Sequence, residues 1–520
     1  LTRRAGGMFE RRRIIDWLGI LAIAAGLWGT GKMILQPVLI YDEGIVLTDS
    51  SMVLAGSIPY RDFYTNYPPG IFMLLAGLWK AFGVSVITER LLGASIHLAI
   101  AALAGRLAGR ISSKRFSPLA AGLVLLWLIR LRSVAFAWIA GLMMALLFGE
   151  LALWALEKPS ARRCAIAGAA LGGIACLRHD LFVYLCLALG AAAVAWAVRH
   201  RRVSLPKLKA GSAGFALGWC LPVVLVWAPV LARSGVELPL YDVLIDQVRY
   251  VQPARLTPLP PEWWQAKLFE MSVLLTLIGP LIALAMIFFL EGSSATAFVG
   301  ALALAVMPQM LGRTEMYHSL YTVTPALILV VVLIEKLFAR GPTIFHGPLW
   351  AILAIAYLVV PATKHLARDL RAPPWRVDDE RYADLPERDP MWARARQEVL
   401  DFVHRNTAPG EPIFIGLKDH RIVLGNEMEL YFLADRPGAT RYMQFDPNMT
   451  NRLEQQEAMI ADFERVGLRV AVLTDPIYDN IEPNQSSIPG ADLLDRYFAE
   501  KFRVVEEVAH YRLLLRRDAE

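Results

Sequence analysis

Long apolar runs fill the first two thirds of the chain, and shorter alternations of polar and apolar residues fill the rest. Runs approaching the ~20 residues of a membrane-spanning helix lie at about 14–40, 86–110, 116–131, 133–157, 163–178, 180–198, 210–232, 268–290, 295–311, 318–338 and 347–365. They predict about eleven transmembrane helices. One further apolar run, Pro68 to Gly83, is short, opens on two prolines and carries Lys80. It predicts a helix lying on the membrane surface, because a first-turn proline loses no intrahelical hydrogen bond. Counting it as a span would reverse the side of every later loop.

After about residue 366 the period changes. "MWARARQEVLDFVHRNT", "RLEQQEAMIADFERVG" and "ADLLDRYFAEKF" repeat as amphipathic helices. "EPIFIG", "LRVAVLTD" and "RVVEEVAHYRLLLRR" repeat as strands. The expected organisation is a polytopic α-helical membrane domain over residues 1–366, with a first outer loop at 41–85. An α/β soluble domain follows over 367–520.

Composition agrees. Hydrophobic residues make up 56% of the 520, above the ~45–50% of soluble domains. Lysine and arginine concentrate between alternate runs, at 1–13, 106–115, 157–163, 199–209 and 336–346. The positive-inside rule then places the N-terminus in the cytoplasm. An odd number of spans places the C-terminal domain outside. The formal charge of +6 is therefore loop charge facing membrane lipids, and nucleic acid is excluded as a partner. The N-terminal apolar run continues to about residue 40, so an uncleaved first span is expected. Cys164, Cys176, Cys186 and Cys220 all sit in apolar runs, with neither a disulfide framework nor zinc spacing.

Four clusters carry candidate chemistry, all on the outer side in this topology. Asp42-Glu43 closes the first span, where charge near hydrocarbon is costly. "GSIPYRDFYTNYPPG" holds Tyr60, Arg61, Asp62, Tyr64 and Tyr67. "CLRHDLF" holds Arg178, His179 and Asp180, and "MLGRTEMYHSLY" holds Arg313, Glu315 and His318. Arg90, Arg130, Arg132, Arg249 and Tyr250 are further candidates. An acid activates a nucleophile, cations stabilise charge on a phosphate leaving group, and tyrosines pack against sugar or lipid. A divalent cation at Asp42 and Glu43 stays open.

The Asp-Glu pair after the first span, the run "GSIPYRDFYTNYPPG", the following "FG" and Arg90 resemble the GT-C superfamily of integral membrane glycosyltransferases. The similarity is to bacterial relatives of protein O-mannosyltransferases and of lipid A aminoarabinose transferase. The resemblance implies an inverting transferase in the bacterial inner membrane, working on its periplasmic face. The donor would be a polyprenyl-phosphate-linked sugar, and the acceptor a lipid-linked glycan, glycolipid or protein. It implies Asp42 as the base, assisted by Glu43. Arg61, Arg178, His179, Arg313 and His318 are expected to hold the donor phosphate. Tyr60, Asp62, Tyr64, Tyr67, Arg90, Asp180, Arg249, Tyr250 and Glu315 are expected to shape the substrate cavity. A polysaccharide polymerase or ligase is the nearer rival. A secondary transporter is the more distant one, since internal repeats are not seen.

Overall fold

The computed structural model describes residues 2–200, 205–255, 271–289, 293–312, 322–339, 375–376, 386–387, 390–423, 425–475 and 489–517. The expected span at 347–365, the Pro-rich stretch 256–264 and the candidates Arg313, Glu315 and His318 lie outside the described residues.

Five described helices are long and apolar enough to cross a membrane: Arg13–Ile34, Val86–Ile111, Ala137–Glu157, Gly211–Ser234 and Ser294–Gly312. Other expected spans form shorter helices, with 12 residues in Ser117–Leu128, 17 in Ala161–Leu177 and 16 in Thr324–Ala339. The first helix, α1 (Thr2–Ile34), stops short of the expected residue 40. Pro37 explains the stop, because the residue before a proline is pushed out of the helical region. The chain then re-enters a helix as α2 (Asp42–Leu54).

The chain forms two compact units. The first comprises Leu1–Ile34, Leu91–Val226 and Pro258–Leu370, and the second comprises Leu35–Arg90, Trp227–Thr257 and Arg371–Glu520.

The first unit is helical. Its α1 packs on Ser117–Leu128, Ala137–Glu157 packs on Ala161–Leu177, and Ser294–Gly312 packs on both Met271–Phe289 and His179–His200. Close approach at one crossing requires glycine. A Cβ on Gly93 would stand 2.1 Å from the carbonyl oxygen of Ser133. There the chain turns through Arg132, which holds φ at +55°.

The second unit gathers three distant segments. Its sheet runs in the order β1 (Phe414–Leu417), β2 (Val470–Thr474), β4 (Tyr511–Arg516), β3 (Phe502–Val508). The β1–β2 pair is parallel and the other two are antiparallel. Helices Leu453–Val466 and Leu493–Lys501 share a core with it that includes Phe414, Phe463, Phe498 and Phe502.

The first-loop segment folds into the same unit. α3 (Gly70–Phe82) buries Ile71, Phe72, Leu75, Ala76 and Trp79, one face at helical spacing. At a rise of ~1.5 Å per residue its 13 residues span only about 20 Å, short of a bilayer core. Trp79 stacks on Phe432 with ring centroids 5.4 Å apart. Beside it α2 lies against residues 428–429, where a Cβ on Gly44 would stand 2.5 Å from the Glu429 amide nitrogen. The Thr48 hydroxyl donates to the Met428 carbonyl at 2.7 Å.

Candidate active site

The first turn of α2 presents Asp42 and Glu43 in opposite settings. Asp42 is exposed and Glu43 fully buried. Adjacent helical residues point about 100° apart, so one side chain faces out while the other enters the unit. Both Glu43 oxygens are occupied. Oε2 accepts from the Leu39 amide at 2.7 Å and from Arg90 Nη2 at 2.8 Å, and Oε1 accepts from Arg90 Nε. Arg90 also donates to the carbonyls of Gln36 and Pro37, each at 3.1 Å. The pair therefore splints the turn between α1 and α2 to the start of the helix Val86–Ile111. Arg90 does not line an open cavity as expected; it is fully buried because its whole fork is spent on that turn.

This geometry also bears on a metal. With Glu43 saturated, the acidic pair offers a cation only Asp42. Among the described residues no group of three His, Cys, Asp or Glu side chains is placed to hold a metal ion. Among the described residues the pair does not fit a metal centre.

The tyrosine-rich run is more interior than its sequence suggests. Tyr60 and Tyr64 are buried and Tyr67 half-buried. The Tyr60 hydroxyl donates to the Tyr67 carbonyl at 2.8 Å, and its ring stacks on Trp227 at 5.9 Å. Its φ of +69° is a strained value for a side chain of this size. The Tyr64 hydroxyl accepts from Gln247 Nε2 at 2.9 Å. Both rings anchor the loop, since their apolar bodies fill space beside residues 227–251. Asp62 accepts from the Ile58 amide at 2.7 Å and from Arg61 at 2.8 Å, so it closes a turn. The Arg61 guanidinium holds the Asp62 carboxyl below its ordinary range. Arg61 itself stays half exposed, at 49%.

Three acids were not singled out from the sequence. Asp49, two turns along α2 from Asp42, is fully buried, and neither carboxylate oxygen makes a hydrogen bond of good geometry among the described residues. Burial pushes it well above the carboxylate range, and the Thr65 hydroxyl opposes this only partly. Its spacing of seven from Asp42 on an otherwise apolar helix was the available signal. Asp242 and Asp246 lie four apart in the segment Glu237–Arg255, which winds as π-helix at Tyr241–Ile245 and Gln247–Val251. Arg441 pairs with Asp242, and Arg452 pairs with Asp246 at 3.3 Å. Burial raises Asp242 to about 7 despite Arg441. Tyr250 lies under the Arg452 guanidinium at 3.7 Å and beside the exposed Arg249 at 5.3 Å.

In the first unit, Arg178 grips Asp180 through Nε at 2.7 Å and Nη2 at 2.9 Å, across the break between Ala161–Leu177 and His179–His200. His179 Nδ1 is buried without a hydrogen-bond partner among the described residues. Arg130 lies over the Trp127 ring at 5.0 Å.

No family model matches this sequence, and no curated protein matches it. Solved structures do. ArnT from Cupriavidus metallidurans bound to undecaprenyl phosphate aligns over 96% of this chain and 98% of its own, with a TM-score of 0.60 at 12% identity. The apo state of the same protein aligns over 95% and 97%, with a TM-score of 0.58 at 13% identity. At that identity the likeness is one of fold. The chain thus has an ArnT-like fold, with five described helices long and apolar enough to cross a membrane.

Proposed function

We propose that the chain is a glycosyltransferase that moves a sugar from a polyprenyl-phosphate-linked donor to a cell-envelope glycan, glycolipid or protein. The observation that carries the reading is the ArnT-like fold, which extends over 96% of the chain and whose solved example holds undecaprenyl phosphate. The local geometry is compatible. Asp42 sits exposed at the head of α2, where the helix N-terminus favours negative charge. In this reading Asp42 takes the proton from the acceptor hydroxyl as the oxygen attacks the anomeric carbon. The polyprenyl phosphate departs with the bonding pair, and the configuration inverts. Glu43 acts through position, because its oxygens are held by Arg90 and Leu39. Arg61, Arg178, His179, Arg313 and His318 are the candidate cations for the departing phosphate. The reaction face is periplasmic and the N-terminus cytoplasmic, following the loop charges.

Thermal unfolding of the purified protein with undecaprenyl phosphate tests the reading. A ligand of the native state stabilises it by about 2.7 kcal/mol at a hundred times its dissociation constant. Stabilisation is expected in the wild type and in Asp42→Asn, with transfer from a sugar-loaded donor lost in Asp42→Asn. A folded protein that no polyprenyl phosphate stabilises would refute it.

A further inference from the structure

The second unit holds a cluster of four charges that the proposed reaction does not use. Arg441 and Arg452 come from the C-terminal part of the chain, and Asp242 and Asp246 from the segment Glu237–Arg255. All four surround one ring: burial raises the Tyr442 hydroxyl, and Arg441, Asp242, Asp246 and Arg452 all act on it. Tyr442 packs beside Tyr64 at 6.3 Å. Both guanidinium groups also lie on aromatic faces, Arg441 over Tyr442 at 5.0 Å and Arg452 over Tyr250 at 3.7 Å.

The carboxylates use only part of what the arginines offer. Arg452 meets Asp246 through one nitrogen at 3.3 Å, a single long contact. Arg441 Nε and Arg452 Nη1 are buried and have no hydrogen-bond partner among the described residues. A guanidinium presents five donors in a planar fork that matches a phosphate better than a monodentate carboxylate. Asp242, for its part, is raised by burial to about 7, so near neutral pH only part of its population carries the charge that holds Arg441. Asp242 lies on a π-helical winding and Asp246 sits between that winding and the next; such windings occur often at functional sites.

We propose that Arg441 and Arg452 form an oxyanion site for a phosphate group, which Asp242 and Asp246 occupy in the ligand-free protein. Phosphate binding displaces the carboxylates and frees the segment Glu237–Arg255 from the two arginines. Tyr250 and Tyr442 then flank whatever the phosphate carries. The inference rests on the glycosyltransferase reading only for the identity of that carrier.

The test is thermal unfolding of the full-length protein in detergent, slightly above neutral pH and at constant ionic strength. Sodium pyrophosphate and undecaprenyl phosphate are titrated separately. The wild type is compared with Asp242→Asn/Asp246→Asn and with Asp246→Asn/Arg452→Gln. Asp246→Asn alone replaces the first double variant if that fails to fold. Removing the competing carboxylates is expected to lower the half-saturating concentration of at least one probe about tenfold, because the anion no longer displaces a like charge. Arg452→Gln is expected to cancel the gain. A gain with pyrophosphate identifies a soluble phosphate, and a gain confined to undecaprenyl phosphate identifies a lipid headgroup. Half-saturation that is the same in the wild type and the Asn variants for both probes overturns the site. If undecaprenyl phosphate stabilises every variant alike, the transferase reading stands and this site falls. If only pyrophosphate acts, and more strongly on the Asn variants, the site stands and the transferase reading falls.

Discussion

Glu43→Gln separates a positioning acid from a catalytic one. The substitution keeps the shape of the side chain but removes its charge and replaces one acceptor oxygen with an amide donor. That amide must face the Leu39 N–H or the Arg90 fork, both of them donors. Glu43 and Arg90 are both 0% exposed, so water cannot repair the mismatch. Removing one partner of a buried, hydrogen-bonded ion pair costs about 3–5 kcal/mol. At ~1.4 kcal/mol per tenfold, the ratio of folded to unfolded protein falls between about a hundredfold and a few thousandfold. Thermal unfolding in detergent, followed by tryptophan fluorescence, should show a clear drop for Glu43→Gln and for Arg90→Gln. The double variant Glu43→Met/Arg90→Met should recover much of the loss, because an apolar pair of similar volume avoids the desolvation cost of both charges. Asp42→Asn, at an exposed position, should unfold like the wild type. A Glu43→Gln protein that unfolds at the wild-type temperature and yet loses transfer would refute the positioning role and return Glu43 to the chemistry.

Three further outcomes follow from the second unit. Asp242 is raised from an ordinary 3.8 to about 7, so folding favours its protonated form. Its contribution is fully present below about pH 3.8 and is lost as pH rises through about 7. The span corresponds to about 4 kcal/mol. Stability measured across that window should therefore fall more steeply in the wild type than in Asp242→Asn, and equal slopes would contradict the assignment. Asp49→Asn removes a buried carboxyl that meets no partner of good geometry among the described residues; at neutral pH and above it should raise the unfolding temperature by a few degrees, and a lowered temperature would mean that the carboxylate is held by something essential. Gly44→Ala places a methyl 2.5 Å from the Glu429 amide nitrogen. It should cost about 1–3 kcal/mol and speed proteolysis of the C-terminal part, and unchanged proteolysis would argue against the contact.

What the sequence revealed follows from how far each signal reaches along the chain. Hydrophobic period is local, and it marked α1, α3 and the helices Ala137–Glu157 and Ser294–Gly312 directly. It overran at residue 34 because the apolar composition continues through Pro37, while the backbone there cannot stay helical. The segment Glu237–Arg255 read as a loop because its prolines and scattered charges hide a winding that tertiary contacts stabilise. The sequence of the first loop does not show that Trp227 stacks on Tyr60 or that Gln247 donates to Tyr64, because those partners lie more than 160 residues further along.

The acids divide in the same way. Asp42 and Glu43 drew attention as a pair, yet their neighbours give them different work. Glu43 meets Arg90, 47 residues away in sequence, and Asp42 meets solvent. Asp242 and Asp246 drew none, since their partners Arg441 and Arg452 lie about 200 residues further along. An acid in a membrane protein is informative through what balances it. Where one cation from a distant segment holds both oxygens, as Arg90 and the Leu39 amide do for Glu43, the acid builds the fold. Where the balance is partial, as at Asp242 and Asp246, or lacks good geometry among the described residues, as at Asp49, part of the burial cost is left uncompensated. Those positions, more than the conspicuous pair that opens α2, are where a ligand has electrostatic energy to gain by binding.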